Sequence, residues 1–240
     1  MNDTATELWL VDVDFHAPAL TAAEEHWPRL SPGEEIRATQ FADPIEQRRR
    51  RAAFIVRRLA LERMFGPALR RIHLPRDTFG RPHLPADIGP GAFSLAHSGP
   101  YVLAACSRAA VIGVDIETPR PIKMDARRQS ILIAAAGPLC AAPLPAEGDA
   151  RFLQAWTRLE ALAKADGRGI GHLVTRIGAA GGDQGTPAYA ARLASEHACC
   201  VTDLAIAPDY AAALALSASS AASITLHTAP ACIELLLAIK

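Results

Sequence analysis

The chain has 240 residues, half of them hydrophobic, and its 25 basic and 25 acidic side chains cancel. That length buries a real core, and the neutral balance gives no global field toward nucleic acid or a membrane surface. Disorder, collagen and coiled coil are excluded by composition.

Leu8–Asp14 is apolar and β-branched enough to predict a strand. It lies in an acidic stretch: residues 1–36 hold eight acids and one base, Arg29. No basic segment followed by an apolar run opens the chain, so no secretory leader is expected. Ser31-Pro32-Gly33-Glu34 predicts a helix start, with Ser as N-cap, Pro in the first position and Glu three residues after the cap. The helical pattern runs to about Phe65, with a break expected at Pro44 and a stop at Gly66-Pro67. Ile55, Leu59, Leu61 and Phe65 form its apolar stripe. Residues 37–81 carry twelve arginines against four acids. A block this basic suggests a phosphate-rich or acidic partner, or a solvated helix face.

Pro75–Gly91 reads as an irregular loop, and Ala92–Ala96, Tyr101–Ser107 and Val111–Glu117 as three short strands. Pro119 and Pro121 mark a joint that divides the chain into 1–119 and 120–240. The apolar run Ile131–Leu144 is broken by Gly137, Pro138 and Pro143, too short and interrupted to cross a bilayer. Ala150–Asp166 predicts a strong helix, ended by Gly167-Arg168-Gly169. Beyond it five strands are predicted: Val174–Ile177, Ala188–Leu193, Ala198–Ile206, Tyr210–Ser217 and Ser223–Thr228, with turn signals at Gly181-Gly182 and Pro208-Asp209. Each half thus has strands plus a long helix, without a sequence repeat. Five cysteines, none in a C-x-x-C pair, indicate neither a disulfide framework nor a zinc site. A soluble, cytoplasmic protein is expected.

Three places can do chemistry. Asp115 and Glu117 alternate onto one face of a strand. Two adjacent carboxylates call for a cation, and hard oxygen ligands suit Mg²⁺; a solvent-facing strand end satisfies the same spacing. Trp156, Glu160 and Lys164 share a helix face, as a site wall or as an exposed ion pair beside a core Trp. Lys164 stands out because lysine is rare here: only Lys123, Lys164 and Lys240. Phe93-Ser94-Leu95-Ala96-His97-Ser98-Gly99 suits a phosphate-binding turn with His as donor. An adjacent His97 and Ser98 do not make a hydrolase triad, and no G-x-S-x-G elbow, Walker A or G-x-G-x-x-G motif is present.

In this order the pieces resemble the Sfp-type 4′-phosphopantetheinyl transferases. The resemblance spans about residues 8 to 217: Gly80-Arg81-Pro82, Phe93–Gly99 (near F-N-x-S-H-S), Gly113–Glu117 (G-V-D-I-E), Trp156–Lys164 (W-[ST]-x-K-E-x-x-x-K) with Gly167–Gly169, and Asp209–Leu214. It implies an α/β (α+β) pseudo-dimer of two similar halves, each with a small, mostly antiparallel sheet and a long helix, working as a monomer. It implies transfer of phosphopantetheine from coenzyme A to a serine of an acyl or peptidyl carrier protein, with Mg²⁺ and release of 3′,5′-ADP. Carried over, Asp115, Glu117 and Glu160 hold the metal and Glu160 is the general base; if the family's Lys, replaced by Leu159, stabilises the leaving phosphate, that role passes to Lys164, Arg158 or Arg168. Gly80, Arg81 and Pro82 border the adenosine, His97 and Ser98 face phosphate, and Arg51 and Arg58 of the basic helix face the 3′-phosphate. The sequence departs from the family at Leu159, where the pattern has Lys, at Ser94 and Ala96, and in 126–149, where no F-x-x-x-E stretch is recognisable. A relative that binds coenzyme A or a carrier without transfer, and another metal-dependent phosphate enzyme, are the competing readings.

Overall fold

The computed structural model describes residues 5–108, 111–179, 185–206, 209–217, 224–228 and 231–238. Among these residues seven strands form two small sheets. β1 (Thr6–Asp12), β2 (Ala92–Ser98), β3 (Tyr101–Ser107) and β7 (Ile224–His227) pair in the order β2-β3-β1-β7. β4 (Ile112–Glu117), β5 (Cys199–Asp203) and β6 (Ala211–Ser217) pair in the order β4-β6-β5. Every pairing is antiparallel except β1 with β7.

Alternation along the strands builds the layers. One face of the first sheet, with Leu8, Leu10, Ala96 and Leu103, packs on Ile112, Val114, Ile116 and Leu214 of the second. The other face of the first sheet, with Trp9, Val11 and Val102, meets α3 (Pro44–Phe65) through Ala53, Val56 and Ala60. The other face of the second, with Val201, Ala213 and Ala215, meets α5 (Gly148–Asp166) through Ala155, Leu159 and Leu162. The order of layers is therefore helix, sheet, sheet, helix, a mixed α/β architecture.

The helix start at Ser31 is as expected: its N–H and hydroxyl both donate to Glu34 at 2.7 Å, opening α2 (Pro32–Ala38). The break at Pro44 is also there, with Asp43 accepting from the Ile45 N–H at 2.8 Å to cap α3. Two expected strands are helices instead. Val174–Ile177 lies largely in α6 (Ile170–Arg176), and Ala188–Leu193 lies in α7 (Ala188–Glu196). Tyr189, Ala190 and Leu193 bury one side of α7 at helical spacing, which a short apolar run does not distinguish from a strand. Three more helices arise where none was predicted: α1 (Ala17–His26), α4 (Ala126–Ala136) and α8 (Ala231–Leu237). The turn signals Gly181-Gly182 and Pro208 fall outside the described residues. The division at 119 does not follow the sheets, because β4 joins β5 and β6 while β7 crosses back to β1. Among the described residues no helix is long and apolar enough to cross a membrane.

α3 is enclosed along its middle, residues 52–62, and its charges there are paired. Glu34 accepts from Arg58 and from Arg57, and Arg58 donates its remaining N–H groups to the carbonyls of Leu69 and Ile72 at 2.7 Å. Glu62 lies between Arg29 and Arg70. Burial pushes the Glu34 carboxyl up, but Arg58, Arg57 and the Ser31 N–H outweigh it and hold it at about 2. A depressed folded-state pKa stabilises above the ordinary value of 4.5, and that stability is lost as pH falls from about 4.5 toward 2. Denaturant melts of Glu34→Ala should show a loss of about 3–5 kcal/mol at neutral pH, because two buried guanidinium groups lose their partner. The variant should also lose much of the acid sensitivity below pH 4.5; an unchanged acid transition would show that this carboxylate does not govern it.

Candidate metal and phosphate site

β4 turns Ile112, Val114 and Ile116 toward the first sheet, so Gly113, Asp115 and Glu117 turn toward α5. Gly113 permits an unusually close approach. A Cβ there would collide with the Ala161 carbonyl oxygen and would lie 2.6 Å from the Ala165 nitrogen. With strand and helix backbones this close, the helix stripe carrying Glu160 and Lys164 faces the strand carboxylates.

The result is a compact acidic triad. One oxygen each from Asp115, Glu117 and Glu160 lies within 4.8 Å of the others. Lys164 Nζ donates to Asp115 Oδ1 at 2.8 Å and to the Val114 carbonyl at 3.0 Å. Glu117 also accepts from Arg120 at 3.0 Å. Asp115 is buried, and its Oδ2 has no hydrogen-bond partner. Burial pushes the Asp115 carboxyl up, Lys164 pulls it down, and Glu160 and Glu117 push it up again, to about 7. Three carboxylates against one ammonium and one guanidinium still leave a deficit of positive charge, and all donors are oxygens. A hard divalent cation fits that donor set.

Beside the triad, a cleft of about 340 Å³ separates α3 and β2 from the C-terminal end of α5. Arg50, Arg57 and Arg76 line it with Phe54, Phe79 and Phe93, and Lys164 stands where cleft and triad meet. The Nε atoms of Arg50 and Arg57 are buried without a hydrogen-bond partner. Burial lowers the pKa of both groups, a penalty that a bound anion relieves.

The Gly80-Arg81-Pro82 loop, expected to border an adenosine, lines the same cleft. Asp77 Oδ1 accepts from the N–H groups of Phe79 and Arg81 at 2.9 Å, and Gly80 takes φ +83°, where glycine is favoured. Arg81 reaches across to the Ala165 carbonyl at 2.9 Å and the Ile112 carbonyl at 3.2 Å, so its guanidinium ties the loop to α5 and β4. Pro82 forms the isolated bridge with Arg76.

Of the residues singled out in the sequence, Asp115, Glu117, Glu160, Lys164, Gly80, Arg81 and Pro82 come together at this place. Arg51 and Arg58 do not. Arg51 makes a two-pronged pair with Glu35 at 2.9 Å and lines a separate groove beside α1. Arg58 is spent on Glu34 and two carbonyls. One residue along a helix rotates the side chain by about 100°, so the cleft is served by Arg50 and Arg57, seven residues apart on one face. His97 sits in the fields of Arg50 and Lys164; burial, with those charges, lowers its pKa to about 4, so it is neutral at pH 7. Ser98 is engaged by Thr118, whose N–H it accepts at 2.9 Å. No family model and no curated protein matches the chain.

The fit to a divalent ion has a pH signature. Without metal, the folded protein retains the Asp115 proton up to about pH 7, whereas the unfolded carboxyl releases it near its ordinary 3.8. The raised pKa therefore makes the metal-free fold lose stability as pH climbs from about 4 to 7. A divalent ion held by the triad would displace that proton, so its stabilisation would grow over the same interval. Thermal melts should show a larger rise in Tm with Mg²⁺ at pH 8 than at pH 5.5, and none in Asp115→Asn; equal rises at both pH values would contradict the assignment.

Proposed function

We propose that this chain is a Mg²⁺-dependent 4′-phosphopantetheinyl transferase, moving phosphopantetheine from coenzyme A to a serine of an apo acyl or peptidyl carrier protein. The supporting observation is the convergence of Asp115, Glu117 and Glu160, from two different elements, at the mouth of an arginine-lined cleft. In this reading α3 with its sheet and α5 with its sheet are the halves of a pseudo-dimer, acting as a cytoplasmic monomer.

Asp115, Glu117 and Glu160 would hold Mg²⁺, which when bound neutralises the oxygens of the reacting diphosphate. Glu160 takes the proton of the carrier serine hydroxyl. The serine oxygen bonds to the phosphorus that carries pantetheine, and the bond from that phosphorus to the bridging oxygen breaks. 3′,5′-ADP leaves with the bond's electron pair. Lys164 supplies fixed positive charge next to the triad, which matters more here because position 159 is a fully buried leucine. Arg50, Arg57 and Arg76 receive the phosphates of the nucleotide end as planar, permanently charged forks. The backbone of Gly80-Arg81-Pro82 and the neighbouring aromatic rings border the adenosine. Neutral His97 contributes a hydrogen bond rather than a charge.

Leu159 favours one second reading, a relative that binds coenzyme A without transfer; three converging acids weigh against it. Mass spectrometry of an apo carrier protein incubated with this chain, coenzyme A and Mg²⁺ decides. One added phosphopantetheine supports transfer, and an unchanged mass with coenzyme A bound supports the second reading.

Two substitutions test the assigned roles. Lys164→Ala should lower turnover at saturating coenzyme A roughly tenfold to a hundredfold, the size of one charge-assisted contact. An unchanged rate would reduce Lys164 to a structural partner of Asp115. Arg50→Ala should raise the KM for coenzyme A about tenfold, whereas Arg51→Ala should leave it nearly unchanged; the reverse order would show that the other face of α3 meets the nucleotide.

A further inference from the structure

β2 and β4 are edge strands of different sheets, yet they run against each other. Side chains make the join. Ser94 Oγ accepts the Val114 N–H at 3.1 Å, and Ser98 Oγ accepts the Thr118 N–H at 2.9 Å. The two serines are four residues apart, as are the two amides, and those amides bracket Asp115 and Glu117.

Val114 is held from both sides. Its N–H goes to Ser94, and its carbonyl accepts from Lys164 Nζ, the same ammonium that takes Asp115 Oδ1. The backbone on which the Asp115 side chain stands is thus clamped between β2 and α5. We infer that Ser94 is a positioning residue for the metal-binding carboxylate: it fixes β4 against β2 so that Asp115 presents its unpartnered Oδ2 in register with Glu117 and Glu160. The inference rests on the reading of the triad as a divalent-metal site.

The physical reason is the precision that a cation demands of its ligands. Displacements of a few tenths of an ångström weaken coordination, and groups that orient ligands without touching the ion carry a large share of affinity. Without the Ser94 hydroxyl the Val114 amide is left buried and unpaired, and β4 relieves that by shifting. Lys164 alone then sets where Asp115 sits.

The test reads metal affinity rather than turnover. Thermal melts over a Mn²⁺ titration at pH 8 give the concentration at which stabilisation is half-complete. Ser94→Ala should raise that midpoint about tenfold, and Ser94→Thr, which keeps the acceptor, should restore it to within about threefold of the parent. Thr6→Val, which removes from β1 a buried hydroxyl paired with Ser107 of β3, should lower the metal-free Tm without moving the midpoint. Equal midpoints for the parent and Ser94→Ala overturn the positioning role while the metal reading stands. No Mn²⁺ response in the parent overturns both. If Ser94→Ala does not fold, Ser94→Cys, whose thiol accepts only weakly, takes its place; a parental midpoint in that variant overturns the inference equally.

Discussion

Gly113 sets the distance between β4 and α5. Its missing side chain lets the strand lie against the helix backbone, and from that contact the chemistry of the second half follows. Asp115 and Glu117 are carried by the strand and Glu160 by the helix; only a close approach puts their oxygens within reach of one ion. The same contact creates the difficulty that defines the site, since three carboxylates meet partly out of water. Lys164 and Arg120 ease it but do not neutralise it. A group of like charges held together by a packed backbone stores unfavourable electrostatic energy, and a cation that enters it is bound with the help of that energy.

The first half solves the opposite problem. Arginines crowd α3, and burial would be costly if they were unpaired. Glu34 absorbs Arg57 and Arg58 of the helix in the interior, and Glu62 of the helix is paired with Arg29 and the partly exposed Arg70. What remains turned to the cleft is selected by helix rotation: Arg50 and one edge of Arg57, with Arg76 joining from the loop. The acidic N-terminal stretch is thus a counter-charge to the basic helix, and it leaves a small surplus of positive charge where an anionic ligand has room.

Much of the site could be read from residue order alone, because strand alternation places Asp115 with Glu117 and helical spacing places Glu160 with Lys164. That strand and helix touch could not be read so, because a glycine declares a close approach only once its neighbour is known. The face of α3 was misjudged for a related reason. A helix buried on every side gives no apolar stripe that distinguishes the cleft side from the core side, and Arg51 and Arg58 are as basic as Arg50 and Arg57. Ser94 was visible only as a small residue within a motif; its partner is a backbone amide, which leaves no mark in the side-chain sequence. The segments 174–177 and 188–193 were too short for their periodicity to separate strand from helix, and tertiary packing settled both as helices.

The crossing of β7 back to β1 has a consequence for how the chain is made. β1 is made before β3, which covers one of its edges. Among the described residues its other edge pairs only with residues 224–227. Through the synthesis of nearly everything between, the nascent first sheet carries an open row of N–H and C=O groups, the kind of edge that recruits other chains. Completion of the sheet beside the arginine cleft therefore waits on residues 224–227, although the residues of that cleft are laid down long before.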